Sequence, residues 1–214
     1  MTNGTAESPT YEYIELKDAM HTWQRCIKRL FDILLSGLGM ILFSPLYLYI
    51  YLRLIKEEGT PVIYKQERVG YKEHTFYIYK FRTLQIDNEE EGPRLASEEE
   101  GISPFCKRLR DHHLDELPQL WNVLKGDMSM VGPRPERKFF IDQITKQDSR
   151  YPALYKMRPG VTSEATLYNG YTDTMDKMLA RLRMDLNYLT HRTLHGDFII
   201  ILKTATSLFF GKKF

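Results

Sequence analysis

From Ile33 to Leu52 the chain reads ILLSGLGMILFSPLYLYIYL, with no charged residue. That is roughly the 20 apolar residues needed to cross a bilayer, so a membrane element is expected. The run begins some thirty residues in, is longer than a signal-peptide core and lacks a small-residue cleavage site after it, which separates it from a secretory signal. Arg25, Lys28 and Arg29 precede it and Arg53 and Lys56 follow it, so the cations mark neither side as the inside. Pro45 stands near its middle, where it removes a backbone donor and clashes with the carbonyl four residues back. The hydroxyl of Ser44 can serve a freed backbone group. This pattern predicts a helix that enters the bilayer, bends at Ser44 and Pro45 and returns to the same face, with Tyr47, Tyr49 and Tyr51 on an interfacial return leg. A kinked spanning helix and a buried helix of a soluble protein stand as alternatives.

Beyond this segment the period changes. Val62–Val69 and Thr75–Thr83 read as two strands around a turn at Gly70, a β-hairpin. PQLWNVLKG reads as a short helix opening at Pro118 and stopping at Gly126. Met178, Leu179, Leu182, Leu186 and Leu189 recur at helical spacing, and DFIIILKTATSLFFGKKF continues as a second helix. Lys212 and Lys213 at its end suit an anionic membrane surface, with core packing as the alternative. Residues 1 to about 22 show no period, and Asp87–Gly101 is an acidic loop broken by Gly92 and Pro93. The expected fold class is α+β, mostly helical. It comprises a leader (1–24), a re-entrant membrane helix-break-helix (25–57) and a cytosolic catalytic domain with a small β-hairpin, a helical core and interfacial C-terminal helices (58–214).

Composition narrows the function. The net charge of +2 over 214 residues, with no zinc-finger spacing or basic run, argues against nucleic acid as a partner. Cys26 and Cys106 are too few and too far apart for a disulfide framework, which suits a reducing compartment and inert thiols.

The candidate chemistry centres on HHLDELPQL, His112–Leu120, where Asp115 and Glu116 adjoin in leucine-rich company. Their place just ahead of a helix start puts carboxylates beside unpaired amides and a positive dipole end, which favours ionisation. Helix capping alone is the plainer explanation, but it needs one acid. Glycoside hydrolysis uses two acids about 5–9.5 Å apart, a separation that adjacent residues fit poorly. In KGDMSMVGPRPER, Gly132 and two prolines hold Arg134 in a constrained loop suited to phosphate recognition. Lys80 and Arg82 in KFR project from one strand face, and Arg158 in MRPG is a weaker phosphate candidate. Each cation can equally serve a surface ion pair. Adjacent His112 and His113 do not make a four-ligand zinc site.

Together, KRLFDILLSGLGMILFSPLYL, GTPVIYKQERVG, FYIYKFRTL and LDELPQLWNVLKGDMSMVGPRPE resemble, in that order, the bacterial sugar transferase family, the monotopic polyprenyl-phosphate phosphoglycosyl transferases. The resemblance runs from about Lys28 to the C-terminus. It implies transfer of a sugar 1-phosphate from a nucleoside diphosphate sugar, usually a UDP-sugar, onto undecaprenyl phosphate, releasing UMP. It further implies Asp115 as nucleophile, Glu116 as its partner acid, an Mg2+ ion with Asp115 as a ligand, and a membrane helix broken at Ser44-Pro45. The expected setting is the bacterial cytoplasmic membrane, with the catalytic domain on the cytosolic face among phospholipids and with downstream glycosyltransferases as further partners. The competing class is a non-catalytic membrane-anchored scaffold that keeps the fold. Two departures stand out: RDHH (Arg110–His113) ahead of LDELPQL, and VTSEATLYNGY (Val161–Tyr171) after the Pro-Gly. The second leaves the donor sugar and the contacts of Tyr168 and Asn169 open.

Overall fold

The computed structural model describes residues 16–84, 102–169 and 174–210. Most of the leader, the acidic loop, Tyr171 and the terminal lysines lie outside them. The uncharged run becomes two helices, α1 (Thr22–Leu42) and α2 (Ser44–Glu58), bent by 60°. Among the described residues no single helix is long and apolar enough to cross a membrane, but this bent pair passes that test together. The bend follows from its residues. Pro45 has no N–H for the carbonyl of Ile41, and the Ser44 hydroxyl donates to that same oxygen at 2.8 Å.

The polarity of α1 is inverted relative to a soluble helix. Asp32 and Ser36 are its buried residues, whereas Leu30, Phe31, Leu34, Leu38, Ile41 and Leu42 are exposed. Leu48, Tyr49, Tyr51, Leu52 and Ile55 continue the apolar surface along α2. Exposed apolar side chains in this number mark a surface suited to another apolar surface. Tyr47 turns inward instead, its ring centroid 5.1 Å from that of Phe81.

Strands β1 (Ile63–Val69) and β2 (Thr75–Phe81) pair antiparallel as the expected hairpin, with Val69 opposite Thr75. Helix α3 (Pro104–Asp111), which the sequence pattern left unassigned, is capped by Ser103 and packs Cys106 and Leu109 with Ile50 and Leu54 of α2. Helix α4 (Gln119–Lys125) follows Pro118 and ends at Gly126, where φ is +105°. Strand β3 (Ser129–Val131) pairs in parallel with β4 (Gly160–Thr162), a second small sheet with no alternating pattern to announce it. Gly132 makes this sheet possible, since a Cβ there would lie 2.3 Å from the carbonyl oxygen of Arg158.

The helices α5 (Lys138–Gln147), α6 (Glu164–Asn169), α7 (Met175–His191) and α8 (Leu194–Phe210) complete the described chain. The periodic leucines 182, 186 and 189 of α7 enter the main core with Ile141, Ile144, Leu154 and Met157. Beside that core, Asp197 of α8 accepts from Lys28 of α1 at 2.6 Å and from the Tyr188 hydroxyl at 2.5 Å. The bent helix pair is thereby joined to the C-terminal helices.

Candidate active site

Three elements position the acid pair. His113 takes a left-handed conformation, φ +52°, and starts a single 3₁₀ turn, Leu114–Glu116, that carries both carboxylates into α4. Helix α4 is fixed to the hairpin by Asn122, whose amide donates to the Tyr77 carbonyl at 2.7 Å and accepts from the Tyr79 N–H at 3.2 Å. Its other end is capped by α1: Arg29 donates to the carbonyls of Val123 and Leu124 at 2.6 and 2.9 Å. Those are two of the four carbonyls that a helix leaves without internal partners. The bent helix pair therefore helps to hold the helix that follows the acids.

Lys80 reaches from β2 to Glu116, Nζ to Oε1 at 2.6 Å, and Arg134 meets the same oxygen at 3.3 Å. The structure thus brings Lys80, Glu116 and Arg134 together beside Asp115. These partners divide the two acids electrostatically. Glu116 is only 11% exposed at its side chain, yet Lys80 and Arg134 outweigh that desolvation and hold it well below the usual carboxylate range. Asp115, 7 % exposed, moves the opposite way. Burial, opposed by Lys80 and reinforced by Glu116, pushes its carboxyl up to about 6. The helix-start argument expected the field of α4 to favour ionisation of both acids. Instead, desolvation exceeds the stabilisation of about 0.3–1 kcal/mol that a helix end offers. Asp115 is still mainly ionised at neutral pH, as a carboxylate less stabilised than its neighbour.

Two of the sequence-derived cations go elsewhere. Arg82 donates to the carbonyl of Glu58 at the end of α2. Arg158 donates through Nε to the Gly126 carbonyl at 2.9 Å and lies over the Tyr71 ring at 5.1 Å. It therefore sits at the C-terminal end of α4, opposite the end that follows the acids. Ser44 and Pro45 occupy the bend between α1 and α2 described above. On α6, Tyr168 accepts from Lys203 at 2.8 Å, and Asn169 donates to the Lys177 carbonyl at 2.9 Å.

Sequence reasoning missed a further group around Arg134. Glu136 accepts from Arg68 at 3.4 Å and from Arg181 at 3.3 Å. Asp185, one turn after Arg181 on α7, is buried and, with Arg134, Glu136 and Arg181, lines a recess that Tyr151, Met178 and Leu182 close on the apolar side. The one available signal was RPE itself, a carboxylate two residues from the constrained arginine.

A magnesium ion was expected. Among the described residues no group of three or more His, Cys, Asp or Glu side chains could hold a metal. A hard cation that shares phosphate oxygens needs only one or two carboxylates and keeps several waters, so the acid pair still fits. Because Glu116 is already engaged by Lys80 and Arg134, that fit falls to Asp115.

Comparison with known proteins shows the family. The family described as "Bacterial sugar transferase" matches residues 23–211. A "UDP-N-acetylgalactosamine-undecaprenyl-phosphate N-acetylgalactosaminephosphotransferase" of Aeromonas hydrophila is 36% identical over 86% of this chain and 44% of its own length. A "UDP-glucose:undecaprenyl-phosphate glucose-1-phosphate transferase" of Caulobacter vibrioides is 37% identical over 85% of this chain and 69% of its own. A "Putative undecaprenyl-phosphate N-acetylgalactosaminyl 1-phosphate transferase" of Bacillus subtilis is 41% identical over 56% of this chain and 68% of its own. The chain therefore spans less than half of the Aeromonas relative and about two thirds of the other two. With a match that covers nearly all of its length, the chain belongs to the bacterial sugar transferase family.

Proposed function

We propose that the chain transfers a sugar 1-phosphate from a UDP-sugar to undecaprenyl phosphate, through a covalent intermediate on Asp115. The observation that carries this reading is the division of the acid pair: Glu116 is neutralised by Lys80 and Arg134, and Asp115 lies beside the same cations. Attack on a phosphorus that bears negative oxygens needs a nucleophilic anion and positive charge next to it. A carboxylate buried enough to be weakly stabilised, with cations beside it, meets both needs.

In the proposed sequence a carboxylate oxygen of Asp115 attacks the sugar-bearing phosphorus. The bond from that phosphorus to the bridging oxygen breaks, and UMP leaves with the electron pair. An oxygen of undecaprenyl phosphate then attacks the same phosphorus, the acyl-phosphate bond breaks, and Asp115 regains its carboxylate. Lys80 and Arg134 orient the phosphates and offset their charge in both steps, and Glu116 keeps the two cations in place. Mg2+ held by Asp115 would supply further neutralisation of phosphate oxygens. The apolar outer faces of α1 and α2 support a setting at the cytosolic face of the membrane, where a polyprenyl chain is delivered.

The test is incubation of the full chain in detergent with undecaprenyl phosphate, Mg2+ and a panel of UDP-sugars, with UMP release as readout. Asp115→Asn should abolish both UMP release and capture of a labelled phosphosugar on the protein. Retention of the adduct would exclude Asp115 as nucleophile. Absence of turnover with every donor would favour the scaffold.

A further inference from the structure

The loop that presents Arg134 is gripped from two sides, and Glu136 is the centre of the grip. From β1, Arg68 donates to the Pro135 carbonyl at 3.1 Å and to Glu136 at 3.4 Å, while the Val69 N–H bonds the Glu136 carbonyl at 3.2 Å. From α7, Arg181 reaches the other carboxylate oxygen of Glu136 at 3.3 Å. Both guanidinium side chains are largely withdrawn from water, with 13% and 9% of their surface exposed. Arg134 lies within electrostatic reach of both, so three guanidiniums share one buried region. The charge balance is tight, because Glu116 is already divided between Lys80 and Arg134, and Asp185, the other acid near Arg181, is pushed by burial toward its protonated form.

Like charges in a region of low dielectric repel strongly, and a buried cation deprived of its counter-charge is costly. If Glu136 lost its charge, the guanidinium with the freest route to water would move. Arg134 has that route: its side chain is 32% exposed, more than twice either of the others. It would be driven off Glu116 and out of the phosphate site.

We propose that Glu136 is a positioning residue, which holds Arg134 on Glu116 by neutralising Arg68 and Arg181. This rests on the phosphoglycosyl transfer proposed above and adds to it a residue that touches neither phosphate nor nucleophile. The phosphate clamp is therefore charge-balanced from behind, across β1, the loop after β3, and α7.

Three full-chain variants in detergent test this: E136Q, R181Q and E136Q/R181Q. Two readouts are taken: the Arg134–Glu116 distance in a determined structure, and KM and kcat for whichever UDP-sugar the unaltered chain turns over. In E136Q the Arg134–Glu116 contact should be lost, and KM should rise about tenfold or more, the loss expected for one charge-assisted bond, with kcat falling as well because Arg134 acts in both steps. The double variant removes one cation together with its counter-charge, so contact and KM should return to within about threefold of the unaltered chain. A purely structural role would make the double variant worse than either single one. Two results overturn the proposal: E136Q with Arg134 still on Glu116, or a double variant no better than E136Q. If E136Q does not fold, the double variant decides alone, and either misfolding or a displaced Arg134 in it counts against the proposal. If the unaltered chain turns over no donor, the transferase reading fails, and the distance in E136Q still judges the role of Glu136.

Discussion

Asp115 and Glu116 are chemically alike and adjacent, and their surroundings alone make them different. Glu116 shares an oxygen with two cations that outweigh its burial, while at Asp115 burial prevails. A nucleophilic carboxylate is present above its pKa and lost below it. Adduct formation should therefore hold level at pH 7 and above and decline as pH falls through about 6, as read by single-turnover labelling. Asp185 titrates in the same region for a different reason. Burial, opposed by Arg181 and reinforced by Glu136 and Glu164, pushes its carboxyl up to about 7. An acid whose pKa is raised on folding keeps its proton in the folded state after the unfolded chain has released it. Its contribution is thus most favourable below about pH 4 and declines until pH passes about 7. Asp185→Asn removes that decline, so the melting temperature of the variant should fall less than that of the unaltered chain between pH 5 and pH 8. Asp115, Glu116, Lys80 and Arg134 were legible because each sits in a short string whose chemistry is local. Arg82 and Arg158 were not separable from them on sequence, since a cation that meets a helix-end carbonyl and one that meets the acid pair read alike until the partner carbonyls at Glu58 and Gly126 are seen.

Among the elements, α1 contributes most beyond its apparent job. Its uncharged apolar run led to the expectation of a membrane segment, but the buried face carries Asp32, whose carboxylate accepts from the Met130 N–H at 2.9 Å across 98 residues of sequence. A pattern read along the chain shows that a helix has a polar seam and cannot show what fills it. The same holds for β3 and β4, three residues each, which owe their pairing to the approach of two glycines. Asp32→Leu would leave a backbone donor at Met130 without its acceptor in a largely buried place. The expected loss is about 1–3 kcal/mol of stability, measured by denaturation in detergent, with UMP release reduced in parallel.

At the scale of the molecule, the exposed apolar residues lie along α1 and α2, and the inward faces of both helices pack on the elements that carry the acid pair. A helix that crossed the bilayer would need its charged ends on opposite sides, whereas here Lys28 and Arg29 near one end and Glu58 near the other all contact the same folded body. Single cysteines placed at Thr22 and Thr60 in a background lacking Cys26 should both be labelled from the same side of sealed vesicles. Labelling from opposite sides would remove the re-entrant arrangement. The architecture was legible as helix, break, helix and hairpin because each announces itself through period, proline or glycine.

Arg29 closing the far end of α4 has a practical corollary. Trimming the chain at residue 58 to obtain a detergent-free enzyme would delete the cap of α4, the acceptor for Met130 and the glycine at position 39 that receives Leu120. What a protein chemist would cut away as an anchor is also part of the scaffolding of the reaction centre. Purification strategies should accordingly begin from the intact polypeptide in a lipid mimic.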